Sequence, residues 1–229
     1  MKPKIVVIIP AFNEENAVGK VVRDIPKDFV DEIIVVNNNS SDNTATQARK
    51  AGATVLDEPR QGYGNACLKG LEYAGQLNPL PDIVVFLDAD YSDYPGELPN
   101  VVQPILDGTC DLVIGSRALG NREKGAMLPH QVFGNKLATT LIHWFYGVRF
   151  TDLGPFRAIR YEKLQLLGMK DRTYGWTVEM QVKAAKHKLK CCEVPVTYRK
   201  RIGTSKVTGT LKGTLGAGYK IIGTILRYL

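Results

Sequence analysis

The hydrophobic pattern changes its period repeatedly along the chain. Short unbroken apolar runs occur at Ile5–Ile9, Ile33–Val36, Thr54–Leu56, Ile83–Leu87 and Leu112–Ile114, and most are rich in β-branched residues. Runs without polar alternation belong to strands covered on both faces. Between them the period lengthens to that of a helix. Ala17, Val18, Val21, Val22 and Ile25 share a face, as do Leu98, Val101, Val102, Ile105 and Leu106. Thr44–Ala51 and Ala66–Ala74 are weaker helical segments, the first with Asp42 as N-cap and Gly52 as its stop. This alternation predicts an α/β fold with an open, mostly parallel sheet flanked by helices.

Beyond residue 120 the rhythm differs. Val132, Phe133, Leu137, Ala138, Leu141, Ile142 and Phe145 mark a long amphipathic helix. Phe156–Ile159 and Cys191–Tyr198 read as strands around a helix at Val178–Lys186. A last helix carries Leu211, Leu215, Ile222, Leu226 and Leu229 on roughly one face, with Lys212, Lys220 and Arg227 interspersed. No linker, repeat or low-complexity tract divides the chain, so a single domain is expected over residues 1–229.

Composition narrows the class. At 229 residues, 44% hydrophobic and 23% charged, the chain is long enough for a core that needs no staple. The net charge of +7 is unevenly placed. Residues 180–229 hold 11 Lys and Arg against one acid, Glu193, a net +10, whereas residues 1–179 hold 19 against 22, a net −3. A basic end on an acidic body suits a phosphate-rich ligand or an anionic membrane surface. Nucleic acid ranks low, because the basic end lacks interleaved aromatics or a binding motif. The longest stretch free of Asp, Glu, Lys and Arg is Leu137–Val148, short of the roughly 20 apolar residues of a membrane span. The start has no signal-peptide layout. Cys67, Cys110, Cys191 and Cys192 form no CxxC pair and read as four free thiols in a reducing cytosol, which sets the expected location as cytoplasmic.

In an open α/β sheet, ligands bind beyond the carboxyl ends of the strands. The segment after each strand is polar or glycine-rich: Pro10-Ala11-Phe12-Asn13-Glu14-Glu15, Asn37-Asn38-Asn39-Ser40-Ser41-Asp42, Asp57 to Gly64, Asp88-Ala89-Asp90 and Gly115-Ser116-Arg117. The sharpest is Asp88-Ala89-Asp90. Two carboxylates one residue apart after a buried strand suit Mg²⁺ or Mn²⁺, which usually bridge substrate phosphates. His130, His143 and His187 are isolated and define no histidine metal site.

These segments in this order, over about residues 4–206, resemble family 2 glycosyltransferases of the GT-A fold, and most of all the dolichol-phosphate mannosyl/glucosyltransferase-like group. The resemblance implies an enzyme that moves a hexose, with inversion, from a nucleotide diphosphate sugar to a polyprenyl phosphate, using Mg²⁺ or Mn²⁺. It implies a nucleotide-sugar-binding half at 1–120, an acceptor half and lid at 121–206, and a C-terminal amphipathic helix at 207–229. The family's donor site maps onto Pro10, Ala11, Asn13, Glu14, Asn38, Asp42, Gly64, Asp88 and Ala89. Asp88 and Asp90 would hold the metal. Arg201, Ser205 and Lys206 match the Arg-x-Gly-x-Ser-Lys element that would close over the diphosphate. Two positions depart from the family pattern: Asn38 stands where an acid is usual, and Ser92 where several dolichol-phosphate enzymes have glutamine.

Arg117 and Arg122 begin the acceptor region and are expected to grip an acceptor phosphate. A lipid phosphate is already an anion near neutral pH, with a second pKa of about 6. A hydroxyl acceptor, soluble or on a glycan, would instead need a carboxylate base, for which Asp152, Asp93 and Glu179 are candidates. The expected catalytic set is therefore Asp90, Asp152, Glu179 and Arg201, and the last helix is expected either to pack on its own domain or to lie on the cytosolic membrane face as a peripheral attachment. A protein that binds nucleotide sugar without turnover is the reading of another class, and intact Asp88 and Asp90 speak against it.

Overall fold

The computed structural model describes residues 2–203 and 211–229. Seven strands form one sheet in the order β3-β2-β1-β4-β6-β5-β7. They are β1 (Ile5–Ala11), β2 (Glu32–Asn37), β3 (Thr54–Asp57), β4 (Ile83–Phe86), β5 (Leu112–Ser116), β6 (Arg157–Arg160) and β7 (Cys191–Pro195). Pairing is parallel except at β6, which runs antiparallel to both β4 and β5. The helices are α1 (Val18–Asp24), α2 (Thr44–Lys50), α3 (Tyr63–Ala74), α4 (Leu98–Leu106), α5 (Pro129–Tyr146), α6 (Tyr161–Leu167), α7 (Trp176–Lys186) and α8 (Leu211–Arg227).

The unbroken hydrophobicity of the strands has the expected cause. Along β1, Ile5, Val7, Ile9 and Ala11 enter a core shared with α1, α2 and α4, while Val6 and Ile8 enter a second core. That second core takes residues from α3, α5, α6, α7 and α8, including Ala66, Ile142, Leu164, Trp176 and Ile225. Phe86 of β4 meets Trp176 edge to face at 5.8 Å between ring centroids. The central strands β1 and β4 are therefore sandwiched, and a polar residue on either of their faces would be buried, whereas the edge strands β3 and β7 are only partly covered.

Four expectations change. Helix α2 starts at Thr44 with Asn43 at its cap position, and the Asp42 carboxylate instead accepts from the Thr44 N–H at 2.9 Å. The strand expected at Cys191–Tyr198 ends at Pro195, and the chain then runs irregularly past the cleft. Helix α6 has no counterpart among the expected elements. Nor are all four cysteines free thiols, because Cys110 and Cys192 form a disulfide between residues 82 apart in sequence, leaving Cys67 and Cys191 free. Adjacent residues on β7 point to opposite faces, so only one of Cys191 and Cys192 faces Cys110. Among the described residues, no helix is long and apolar enough to cross a membrane.

Candidate active site

A cleft of about 350 Å³ opens at the carboxyl ends of β1, β2 and β4. Pro10, Ala11 and Glu14 come from the end of β1, Asn38 from that of β2, and Asp88, Ala89 and Asp90 from that of β4. Arg201 reaches in from the segment after β7. Phe12, Gln61, Gly62, Tyr63 and Tyr174 complete the lining.

Electrostatics organise its floor. Tyr63 donates to Asp88 Oδ1 at 3.1 Å. Burial, and then the neighbouring Asp90 charge, push the Asp88 pKa up to about 6. Asp90 Oδ1 accepts from the Ser92 N–H at 2.9 Å and the Ser92 hydroxyl at 2.5 Å, which turns the carboxylate into the cleft. Its Oδ2 lies 3.1 Å from Arg201 Nη1. The other guanidinium nitrogen, Nη2, pairs with Glu14. Arg201 thus bridges the β1 and β4 strand ends and neutralises a site that is otherwise acidic.

Arg201 is held there by its neighbours. The Ile202 N–H donates to the Asp90 carbonyl at 3.0 Å, and the Arg199 N–H to that of Ser92 at 2.9 Å. The Arg199 guanidinium lies 3.4 Å from the Tyr91 ring centroid and 4.1 Å from that of Tyr94, and Nε donates to the Tyr91 carbonyl at 2.7 Å. Upstream, Thr197 is fixed to the Glu97 carboxylate through its N–H at 2.8 Å and its hydroxyl at 2.6 Å. Ser205 and Lys206, expected to complete this lid, lie outside the described residues.

The remaining donor-site expectations divide. Asn38 lines the cleft, yet its amide is committed to one wall. Nδ2 donates to the carbonyls of Glu58 at 3.1 Å and Arg60 at 2.8 Å, and Oδ1 accepts from the Gly62 N–H at 2.7 Å. A carboxylate could not supply those two donors, which accounts for the amide at this position. Asn13 and Asp42 do not line the cleft. Asn13, at φ +54°, accepts from the Ser41 N–H at 2.8 Å, and Asp42 accepts from Glu15 and Thr44, so together they tie the β1 and β2 loops. Gly64 also lies outside the lining, and its role is steric. A Cβ there would stand 2.0 Å from the Asp171 carbonyl oxygen, so glycine lets α3 start against the loop that delivers Tyr174. Nothing in the local pattern marks Tyr174, since the packing of its loop on the α3 start brings it to the cleft.

The expected bases are each held in a defined environment. Both Asp152 oxygens are taken by Arg117, whose Nε and Nη2 donate at 2.8 Å and 2.7 Å and whose backbone N–H adds a third bond at 2.7 Å. Asp152 is therefore a partner for arginine, and the Arg117 guanidinium lies between Asp152 and the Tyr198 ring. Glu179 is buried in α7 away from the cleft lining. It accepts from the N–H groups of Lys170 and Asp171 and from the Tyr228 hydroxyl at 2.6 Å, and pairs with Lys183 at 2.8 Å. Burial alone would raise its pKa, but these partners outweigh burial and lower it. Asp93 is buried outside the cleft lining, and burial together with the Asp88 and Asp90 charges pushes its pKa well up. Arg122 lies apart from the cleft and lines a second cavity of about 310 Å³ with Lys136, Met127, Val132 and Phe150.

Two clustered aspartates offer the hard oxygen donors that Mg²⁺ and Mn²⁺ prefer. No cluster of three or more His, Cys, Asp or Glu side chains in metal-holding geometry occurs among the described residues. The protein residues therefore fit a cation that completes its coordination with water and substrate oxygens, as Mg²⁺ commonly does.

An acidic strand-end pair beneath an arginine, in a mostly parallel sheet with one antiparallel strand, is the architecture of a glycosyltransferase of the GT-A fold. The sequence model described as Glycosyl transferase family 2 matches residues 6–168, and the chain belongs to that family. An uncharacterized glycosyltransferase of Mycobacterium tuberculosis (strain ATCC 25618 / H37Rv) is 37% identical over 216 residues, covering 92% of this chain and 93% of the relative. A dolichyl-phosphate hexose transferase of Haloferax volcanii is 34% identical over 205 residues, 88% of this chain and 85% of that protein. Among solved structures, glucosyl-3-phosphoglycerate synthase from Mycobacterium tuberculosis in complex with Mn²⁺, uridine-diphosphate-glucose and phosphoglyceric acid superposes with a TM-score of 0.76. That likeness is at 25% identity over 99% of this chain and 79% of the other.

Proposed function

We propose that the enzyme transfers a hexose, with inversion, from a nucleotide diphosphate sugar to a polyprenyl phosphate of the dolichyl type, working at a membrane face. The observation that carries the donor half is the meeting of Asp88, Asp90, Glu14 and Arg201 in one cleft. Negative charge develops on the diphosphate as the sugar leaves, and fixed positive charge stabilises it. Asp88 and Asp90 would hold a divalent cation, which supplies part of that charge when bound. Arg201 supplies the rest from the chain itself. The Mn²⁺ and uridine-diphosphate-glucose bound by glucosyl-3-phosphoglycerate synthase support this donor chemistry.

The acceptor half rests on which carboxylates are spent. Of the three candidate bases, Asp152 and Glu179 are held by partners, and Asp93 is buried outside the cleft lining with its pKa pushed well up, so none presents an ionised carboxylate to the cleft. A phosphate acceptor needs no base and must only be held. The second cavity sets Arg122 and Lys136 among Met127, Val132 and Phe150, with Asp152 on its wall already paired to Arg117, and this combination of cations with apolar walls suits a lipid phosphate. The named activity of the Haloferax relative supports the same class. Mass spectrometry of lipid products, after incubation with polyprenyl phosphate and a panel of UDP- and GDP-sugars, tests the reading. A glycosylated lipid is expected. Turnover only on a soluble hydroxyl acceptor would refute the lipid half and leave the donor half standing.

A further inference from the structure

We infer that helix α8 positions Tyr174 for the nucleotide donor, through the ion pair between Lys220 and Asp171. The inference rests on the donor half of the reading above. None of the residues that line the donor cleft belongs to α8. One of them, Tyr174, stands on the loop between α6 and α7, and α8 meets that loop directly.

Asp171 organises the loop. Its Oδ1 accepts from the Thr173 N–H at 2.7 Å and from the Gly175 N–H at 3.2 Å, so both chain neighbours of Tyr174 hang on one carboxylate oxygen. The Thr173 hydroxyl donates to the same atom at 3.2 Å. A turn closed by a side chain in this way takes its shape from the direction of that side chain. The other oxygen, Oδ2, takes Lys220 Nζ of α8 at 3.2 Å. The Asp171 side chain is only 7% exposed, so little water is at hand to replace the ammonium. Gly175 adds a steric contact, since a Cβ there would stand 2.7 Å from Thr224 Oγ1 of α8.

The start of the loop has a second support. Glu179 accepts from the N–H groups of Lys170 and Asp171, and the hydroxyl of Tyr228, just beyond α8, donates to it. On the opposite side, the Arg172 and Thr173 carbonyls accept from the start of α3. The loop is thus held between the cleft wall and the C-terminal helix. A binding residue on a loop is placed only as precisely as the groups that support it. Lys220 enters neither hydrophobic core and its side chain is 41% exposed, so its replacement leaves the fold standing.

Isothermal titration with UDP, GDP, ADP, CDP and dTDP in the presence of Mn²⁺ first identifies a nucleotide that the parent binds. Lys220→Met keeps the aliphatic stem and should bind that nucleotide about threefold to tenfold more weakly. Lys220→Arg should restore most of the affinity. Tyr174→Ala should also weaken binding, and adding Lys220→Met to it should cost nothing further, because no ring is left to position. Hydrogen exchange reads the cause without nucleotide: the Thr173 and Gly175 amides should exchange faster in Lys220→Met than in the parent. Equal nucleotide affinity in the parent and Lys220→Met would overturn the inference and leave the donor reading standing. Losses that simply add in the double variant, or unchanged exchange at both amides, would do the same. A parent that binds none of these nucleotides would refute the donor reading and this inference with it.

Discussion

At the residue scale, the cleft is defined by which charged groups already have partners. Arg201 sits on Asp90, one of the two carboxylates that would hold a cation, and on Glu14. Replacing Arg201 by Met should therefore leave Mn²⁺ binding in the absence of nucleotide equal or tighter, while nucleoside diphosphate binding weakens about tenfold or more. Isothermal titration of each ligand separately checks the opposite signs. Asn38→Asp should lower stability by about 1–3 kcal/mol, because the Glu58 and Arg60 carbonyls lose their donors, and chemical denaturation measures that loss.

Glu179 offers a pH test. Its folded-state pKa lies below the ordinary value of 4.5, so its contribution to stability is present above about pH 4.5 and is lost as pH falls through the folded value. Glu179→Gln should be destabilising at pH 7, with the gap to the parent narrowing below about pH 4, as read in urea melts. Its turnover per folded molecule should be unchanged, whereas a catalytic base would lose activity.

At the scale of elements, the α3 start and the loop before α7 depend on one another. The Gly64 N–H donates to the Thr173 carbonyl at 3.2 Å and the Asn65 N–H to the Arg172 carbonyl at 3.0 Å. Gly64→Ala forces these backbones apart and should destabilise by about 1–3 kcal/mol or more. Because Tyr63 and Tyr174 line the cleft from these two segments, nucleotide affinity should fall with it. A thermal melt and a nucleotide titration on one sample distinguish this linked loss from a purely global one.

For the whole molecule, the proposed organisation is one domain in which α8 belongs to the core. Ile225 is fully buried in the cluster that includes Trp176 and Ile142, and the Tyr228 hydroxyl reaches Glu179. Calorimetry should show a single cooperative transition. Truncation before Leu211 should broaden or abolish it, because the second core would lose one wall.

The strands and most of the donor cleft were legible in the sequence for a local reason. A strand covered on both faces must be continuously apolar, and the chain turns polar beyond it, so position marks the segments that hold Glu14, Asn38, Asp88 and Asp90, although the same rule also picks Asn13 and Asp42, which tie loops together instead. What only the tertiary structure decided was which candidate groups are available for chemistry. Asp152 meets Arg117 across 35 residues, Glu179 meets Tyr228 across 49, and Cys110 meets Cys192 across 82. Tyr174 enters the cleft through a backbone contact invisible in its own neighbourhood. Periodicity is a property of neighbours along the chain, whereas the state of a carboxylate or thiol is set by whatever the fold brings beside it, and that partner leaves no mark on the local pattern.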